Sequence, residues 1–151
     1  MGDARRCREH GTTLLLVPAA TLVLIILGAI AVDLSTIHLA RRELVRVVAH
    51  AADDGASMVD TDHLRRTGGV RLDPAAADRV ARAQIFAAEL PGRLIGRPTV
   101  ELGTEPTSIE VTATLEVDHL FAAAIPGAPD HQRITVRSQG RLLLVEPAGA
   151  P

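Results

Sequence analysis

Hydrophobic and polar positions divide the chain into three regimes. From Thr12 to Val32 no side chain is charged, a run of 21 residues built mostly from Ala, Val, Leu and Ile. As an α-helix it would measure about 31 Å at a rise of ~1.5 Å per residue, against a bilayer hydrocarbon core of roughly 30 Å. A buried helix in a domain this small would show a polar face, and this run has none. Pro18 falls in its first turns, where several amides lack an intrahelical acceptor anyway, so its cost is reduced and a mild kink is expected. The pattern predicts a transmembrane helix over 12–32.

Past Asp33 the period changes. Leu34, Ile37, Leu44, Val48, Ala51 and Met58 recur at three- and four-residue spacing, with Arg42, Arg46, His50 and Asp53 on the other side. That predicts an amphipathic stalk helix over 33–59. Glu43 with Arg46, and His50 with Asp54, add same-face pairs. "DTDHLRRTGG" at 60–69 is polar, ends in a glycine pair, and reads as a loop with one helical turn. "LDPAAADRVARAQIFAAELPG" is a punctuated helix: Asp73 caps it, Pro74 suits its first position, and Pro91-Gly92 ends it. Its predicted apolar stripe is Ala76, Val80, Ala83, Ala87 and Leu90, with Asp78, Arg79, Arg82 and Glu89 facing water. The small side chains of that stripe would let the helix approach a sheet closely.

The third regime has period two. "PTVELG" offers Val100 and Leu102, and "GTEPT" is a hairpin-length turn. In "SIEVTATLEV", Ile109, Val111, Ala113, Leu115 and Val117 alternate with Ser108, Glu110, Thr112, Thr114 and Glu116, so one face is expected buried and one wet. "HLFAAAIPGAPDHQ" is a helical or looped excursion broken at Pro126-Gly127. A last strand, "RITVRSQGRLLLV", alternates at Ile134 and Val136, then Leu142 and Leu144, with Gly140 marking a bulge or a close backbone approach. The expected fold is α+β: a long N-terminal transmembrane/stalk helix, one covering helix and a small antiparallel β-sheet. The domains that follow are a basic tail over 1–11, the span over 12–32, the stalk over 33–59, a small α+β domain over 60–145 and an unstructured tail over 146–151.

Composition narrows the functional classes. Phe86 and Phe121 are the only aromatics, which removes the stacking platform of a single-strand binder. All 16 basic residues are arginines, they are dispersed, and the formal net charge is −2, so no long-range field attracts nucleic acid. A nucleic-acid partner is therefore excluded. Cys7 is the single cysteine, so no internal disulfide forms. It precedes the apolar run, unlike the cysteine of a bacterial lipid anchor, and reads as a free thiol in a short tail.

Candidate chemistry is sparse. "VDTDH" groups Asp60, Asp62 and His63, and His50 stands four residues before Asp54, yet neither completes a metal-ligand set or a calcium loop. No phosphate-cradling glycine loop, zinc-binding cysteine pattern or nucleophile elbow occurs. No catalytic, cofactor-binding or metal residue is therefore assigned, no cofactor is expected, and the chain does not read as an enzyme. Asp33 sits where a membrane would meet water and reads as the stop that keeps the helix from sinking further.

Two readings of the apolar run compete. "RRCREHG" resembles the charged start of an export signal, and Ala29-Ile30-Ala31 fits a cleavage pattern, which would release a secreted small binding domain after Ala31. Against this, the run exceeds the ~7–15 residues of a signal core, and the helical pattern continues beyond it. The flanking charges, Arg5, Arg6 and Arg8 before and Asp33 then Arg41, Arg42 and Arg46 after, favour a cytoplasmic N-terminus and an extracytoplasmic C-terminal domain.

The order of several motifs resembles a known family. "GTTLLLVPAA", an apolar stretch closing in "IAVD", then "ARREL" and "AHAADDGA" are similar to the TadE/TadG-like proteins of bacterial Flp pilus assembly. The "LDPAAA" helix, the Val/Thr-alternating strand and the excursion near Pro126-Gly127 extend the likeness from about Gly11 to Leu143. Processed prepilins keep a Glu five residues past the cleavage glycine. Here Leu16 stands at that distance from Gly11, which puts the resemblance nearer to TadG-like members. The resemblance implies a membrane-anchored, pseudopilin-like accessory protein of a pilus-assembly or secretion apparatus. Its partners would be the lipid bilayer and other assembly proteins, with homo- or hetero-oligomers formed through the N-terminal helix.

Overall fold

The computed structural model describes residues 6–122 and 127–142, with side chains from Leu16 onward. The fold is α+β, with three helices and one four-stranded antiparallel sheet among the described residues. Helix α1 spans Arg6–Ala56, 51 residues, and continues through Pro18 without interruption. From Leu16 to Val32 nearly every side chain is exposed, Leu16, Leu24 and Ile25 at 63%, 69% and 63%. Its most apolar window has a mean hydropathy of 2.3 and is only 6% buried, so among the described residues there is one helix long and apolar enough to cross a membrane. The expected tail over 146–151, Leu144 and Pro126 lie outside the described residues.

The second half of α1 is the centre of the domain. Ala40, Leu44, Val48, Ala51 and Ala52 are fully buried, and Val47 and Ala56 nearly so. The boundary drawn at residue 60 thus runs through one shared core: α1 lies on β3 and β4 and also packs against α3. The predicted face is right at Leu44, Val48 and Ala51 but wrong at its start. Leu34 is 62% exposed, and Asp33 is the residue turned inward, at 7%. Positions 33, 37, 40, 44, 48 and 51 form one stripe, with a carboxylate at its head.

Helix α2, Thr61–Thr67, replaces the expected loop with nearly two turns. The Asp60 side chain accepts the His63 amide at 2.8 Å, a capping bond that starts the helix. An isolated bridge between Val59 and Leu72 closes the excursion. Helix α3, Pro74–Ala87, begins as expected: the Asp73 carboxylate accepts the amides of Ala75 and Ala76 at 3.0 Å. Its buried stripe is Ala77, Ala81 and Ile85, one or two positions on from the prediction, while Ala83 and Ala87 are exposed. In so alanine-rich a helix the sequence gives little contrast between faces, and packing decides. The helix that lies along the sheet is α1, and α3 packs mainly on α1. Gly55 sits where α1 meets both neighbours: a Cβ there would fall 2.5 Å from Ile109 Cδ1 and 3.3 Å from the Ala77 carbonyl oxygen.

The sheet is organised about β3, Ser108–Asp118. Along one edge runs β4, His131–Arg141, paired over its full length. Along the other lie β2, Thr99–Leu102, opposite Ile109–Thr112, and the short β1, Arg93–Leu94, opposite Leu115–Glu116. The sequence pattern did not reveal β1. Ile109, Val111, Ala113, Leu115 and Val117 are all buried against α1 and α3, as the alternation requires. Two members of the expected wet face are buried too. Ser108 is sealed in the turn and donates to the Glu105 carbonyl, and Glu116 is 6% exposed beneath arginines from both neighbouring strands.

Candidate functional site at the Asp33 clasp

The chemistry of the described residues concentrates at one end of the sheet, where β3 runs out beside α1. Asp33 is one residue past the charge-free run and faces the segment leaving β3. Its Oδ1 accepts the Leu120 amide at 2.9 Å and the Phe121 amide at 3.1 Å. Its Oδ2 accepts Phe121 at 3.2 Å and Ala122 at 2.8 Å. Three successive backbone N–H groups thus converge on one side chain 87 to 89 positions earlier in the chain. Such convergence forms an anion-binding concavity, here filled by the protein's own carboxylate. Desolvation works to raise the Asp33 pKa, but the amides of Ala122, Phe121 and Leu120 together outweigh it and hold the group below its ordinary range.

His119 stands beside the clasp. Its backbone N–H donates to the Asp130 carbonyl at 2.8 Å, pinning the two ends of the β3–β4 connection. Its Nδ1 lies 3.9 Å from Asp33 Oδ2, is buried, and has no hydrogen-bond partner among the described residues. Further along the same end, Glu116 receives Arg93 from β1 and Arg133 Nε from β4, the latter at 3.0 Å, with His131 Nε2 at 3.6 Å. The hydrogen bonds from Arg93 and Arg133 overcome desolvation and lower the Glu116 pKa. The register makes this unavoidable, since both arginines stand directly opposite Glu116 in the ladders.

These groups are clamps. A carboxylate whose lone pairs are committed to three amides or two guanidinium groups is poorly placed to take a substrate proton. The sequence marks Asp33 as the stop that keeps the helix from sinking further; the structure turns it inward as a tether. The signal that could have found it is its place on the stripe with Ile37, Ala40 and Leu44.

The other acids and histidines weighed from the sequence do not assemble. Asp60 caps α2 and holds Arg71, whose Nε and terminal nitrogen lie 2.9 and 2.7 Å from its Oδ2. Asp62 is exposed, 3.9 Å from Arg65, and His63 packs near Gly69. His50 and Asp54 are both exposed and form no ion pair among the described residues, whereas Arg46 does reach Glu43, its Nε at 3.1 Å. Among the described residues no group of three His, Cys, Asp or Glu side chains is placed to hold a metal ion. The Cys7 side chain lies outside those described.

Set against known proteins, this arrangement has no counterpart to borrow from: no family model, no curated protein and no solved structure matches the chain.

Proposed function

We propose that the protein is a single-pass membrane-anchored structural or accessory component of a Flp (Tad) type pilus-assembly or secretion apparatus, acting by protein–protein contacts. The observation that carries the anchored part is α1. One unbroken helix is exposed and apolar from Leu16 to Val32 and is the core element of a folded domain from Ala40 to Ala56. An apolar helix with no polar face is at home in lipid. The pilus-assembly part rests on the order of motifs from Gly11 to Leu143 that resembles the TadE/TadG-like proteins. The clamped state of Asp33 and Glu116 fits a scaffold role. The N-terminus lies in the cytoplasm and the α+β domain outside, following the charges that flank the run.

Release of a secreted binding domain by cleavage after Ala31 is the competing reading. It would cut α1 two residues before Asp33 and leave the clasp hanging from a frayed helix end, so continuity of α1 favours the anchor.

Three measurements test the proposal. The protein should stay with membranes through a carbonate wash, and its mature N-terminus should precede Thr12; a soluble product beginning at Val32 refutes the anchor. A membrane-impermeant maleimide should label Cys7, the single cysteine, only after the inner membrane is opened, and labelling of intact spheroplasts reverses the orientation. Solubilised under mild conditions, the protein should co-purify with pilus-assembly membrane components, and its recovery alone counts against the apparatus.

A further inference from the structure

The clasp raises a question that anchoring by α1 leaves open: why is a segment 87 residues away tied to the first position past the apolar run? What it carries is apolar and uncovered. Leu120 is 64% exposed and Phe121 48%, although their amides are held by Asp33 at 2.9 and 3.1 Å. Phe121 is one of only two aromatic residues in the chain, and no side chain from Leu120 to Pro129 is charged. Large apolar side chains on an ordered backbone, pointing away from the core, mark a contact surface.

We propose that Leu120 and Phe121 form a second lipid contact, a wedge seated in the bilayer interface beside the exit of α1, with Asp33 fixing its depth. The inference rests on the anchored reading of α1 and adds a site to it. The choice of lipid over a protein partner follows from position. Asp33 adjoins Val32, the last residue of the charge-free run, and the wedge amides lie within 3.2 Å of the Asp33 carboxylate. The wedge is therefore level with the end of the span. Exposed Ile30 and Val32, at 48% and 44%, continue the apolar surface down the helix, so the contact is continuous with the one the span itself makes. Interfacial elements seat their apolar side chains roughly 5–10 Å into the boundary between headgroups and acyl chains. The clasp also has chemistry suited to this depth: three successive backbone amides that would otherwise face lipid unpaired are satisfied by the Asp33 carboxylate.

The test uses the full chain with Cys7→Ser, reconstituted in vesicles of phosphatidylcholine and phosphatidylglycerol. An environment-sensitive fluorophore is attached to one introduced cysteine at a time. Leu120→Cys reports the wedge and leaves Phe121 in place, Leu24→Cys reports the span, and Glu101→Cys on β2 reports the water-facing domain. Lipids carrying a spin label near the headgroup should quench the Leu120→Cys probe and shift its emission to the blue, while the Glu101→Cys probe keeps its aqueous emission. Spin labels deep in the acyl chains should quench the Leu24→Cys probe. Quenching at Leu24→Cys with none at Leu120→Cys overturns the wedge and leaves the anchor standing. No quenching at either overturns both. A blue-shifted Leu120→Cys probe that lipid spin labels do not reach overturns the lipid assignment and gives the surface to a protein, such as a second copy of this chain.

Discussion

Gly140→Ala is the sharpest probe of how α1 sits on the sheet. Gly140 lies on β4, fully paired with Ile109 and turned toward α1. A Cβ built there would fall 2.1 Å from the Ala52 carbonyl oxygen, 2.4 Å from its carbon and 2.9 Å from the Asp53 nitrogen. Ordinary contact begins at 3.4 Å, so the backbones must part by about 1.3 Å, and backbone cannot rotate away as a side-chain tip can. A radial gap of ~0.5–1 Å already forfeits a quarter to a half of each dispersion contact. The affected contacts include those of Leu44, Val48 and Ala52 with the sheet. Overpacking of this kind costs roughly 1–3 kcal/mol. Restricting the unfolded chain returns about 0.4–1 kcal/mol. A net loss of about 1.3 kcal/mol lowers the melting temperature by roughly 5–10 °C in a domain of ~100 residues. The assay is thermal unfolding of the full chain in detergent, followed by hydrogen exchange at the β3 and β4 amides, because α1 stays helical in a micelle. Gly28→Ala, whose added Cβ meets nothing within 4 Å, is the matched control and should not melt earlier than the parent. A Gly140→Ala protein that melts with the parent would mean that α1 does not lie at this distance from β4, and the reading of it as the central element would fail.

Three further outcomes are expected. Leu44→Ala, at a fully buried position of α1, should cost about 2–5 kcal/mol through lost transfer and a cavity; an unchanged denaturation midpoint would remove α1 from the core. Asp73→Ala should cost about 0.5–2 kcal/mol by orphaning two amides of α3, with Asp73→Asn recovering most of it, and equal losses for both would point away from capping. Acid should loosen the sheet end. The pKa values of Asp33 and Glu116 lie below their ordinary 3.8 and 4.5, so the unfolded chain binds protons first. Their stabilisation is complete above those ordinary values and is lost as pH falls through them toward the lower folded ones. Protection of the Leu120–Ala122 amides, corrected for intrinsic exchange, should hold at neutral pH and fall below about pH 4, and Asp33→Asn should flatten most of that dependence.

Much of the fold was legible because two periods are strong in this chain. The β3 alternation from Ile109 to Val117 predicted every buried member of its inner face, and Asp73-Pro74 marked the start of α3 to the residue. What escaped was decided by partners far along the sequence. The α3 stripe slipped by one or two positions because neighbouring alanines such as Ala76 and Ala77 are chemically alike, and packing against α1 chooses between them. β1 has two residues and no alternation to detect; the ladder opposite Leu115 and Glu116 creates it. Glu116 looked wet because local pattern cannot see Arg93 and Arg133 arriving from two other strands. Asp33 looked like a boundary marker for the same reason, since its amide donors come from the segment leaving β3, 87 to 89 positions on. The candidate site is thus the part of the molecule least visible from local sequence.

The 51 residues of α1 run without a break from the apolar stretch into the domain, and that couples the two mechanically. About 77 Å of uninterrupted helix behaves as a lever whose far arm is bolted to a sheet. Embedded in a bilayer, its tilt dictates the attitude of everything beyond Val32, so a neighbouring helix that leans on the greasy arm swings the whole domain through an arc. Force or rotation applied in the membrane plane arrives at β3 and β4 undiminished by slack.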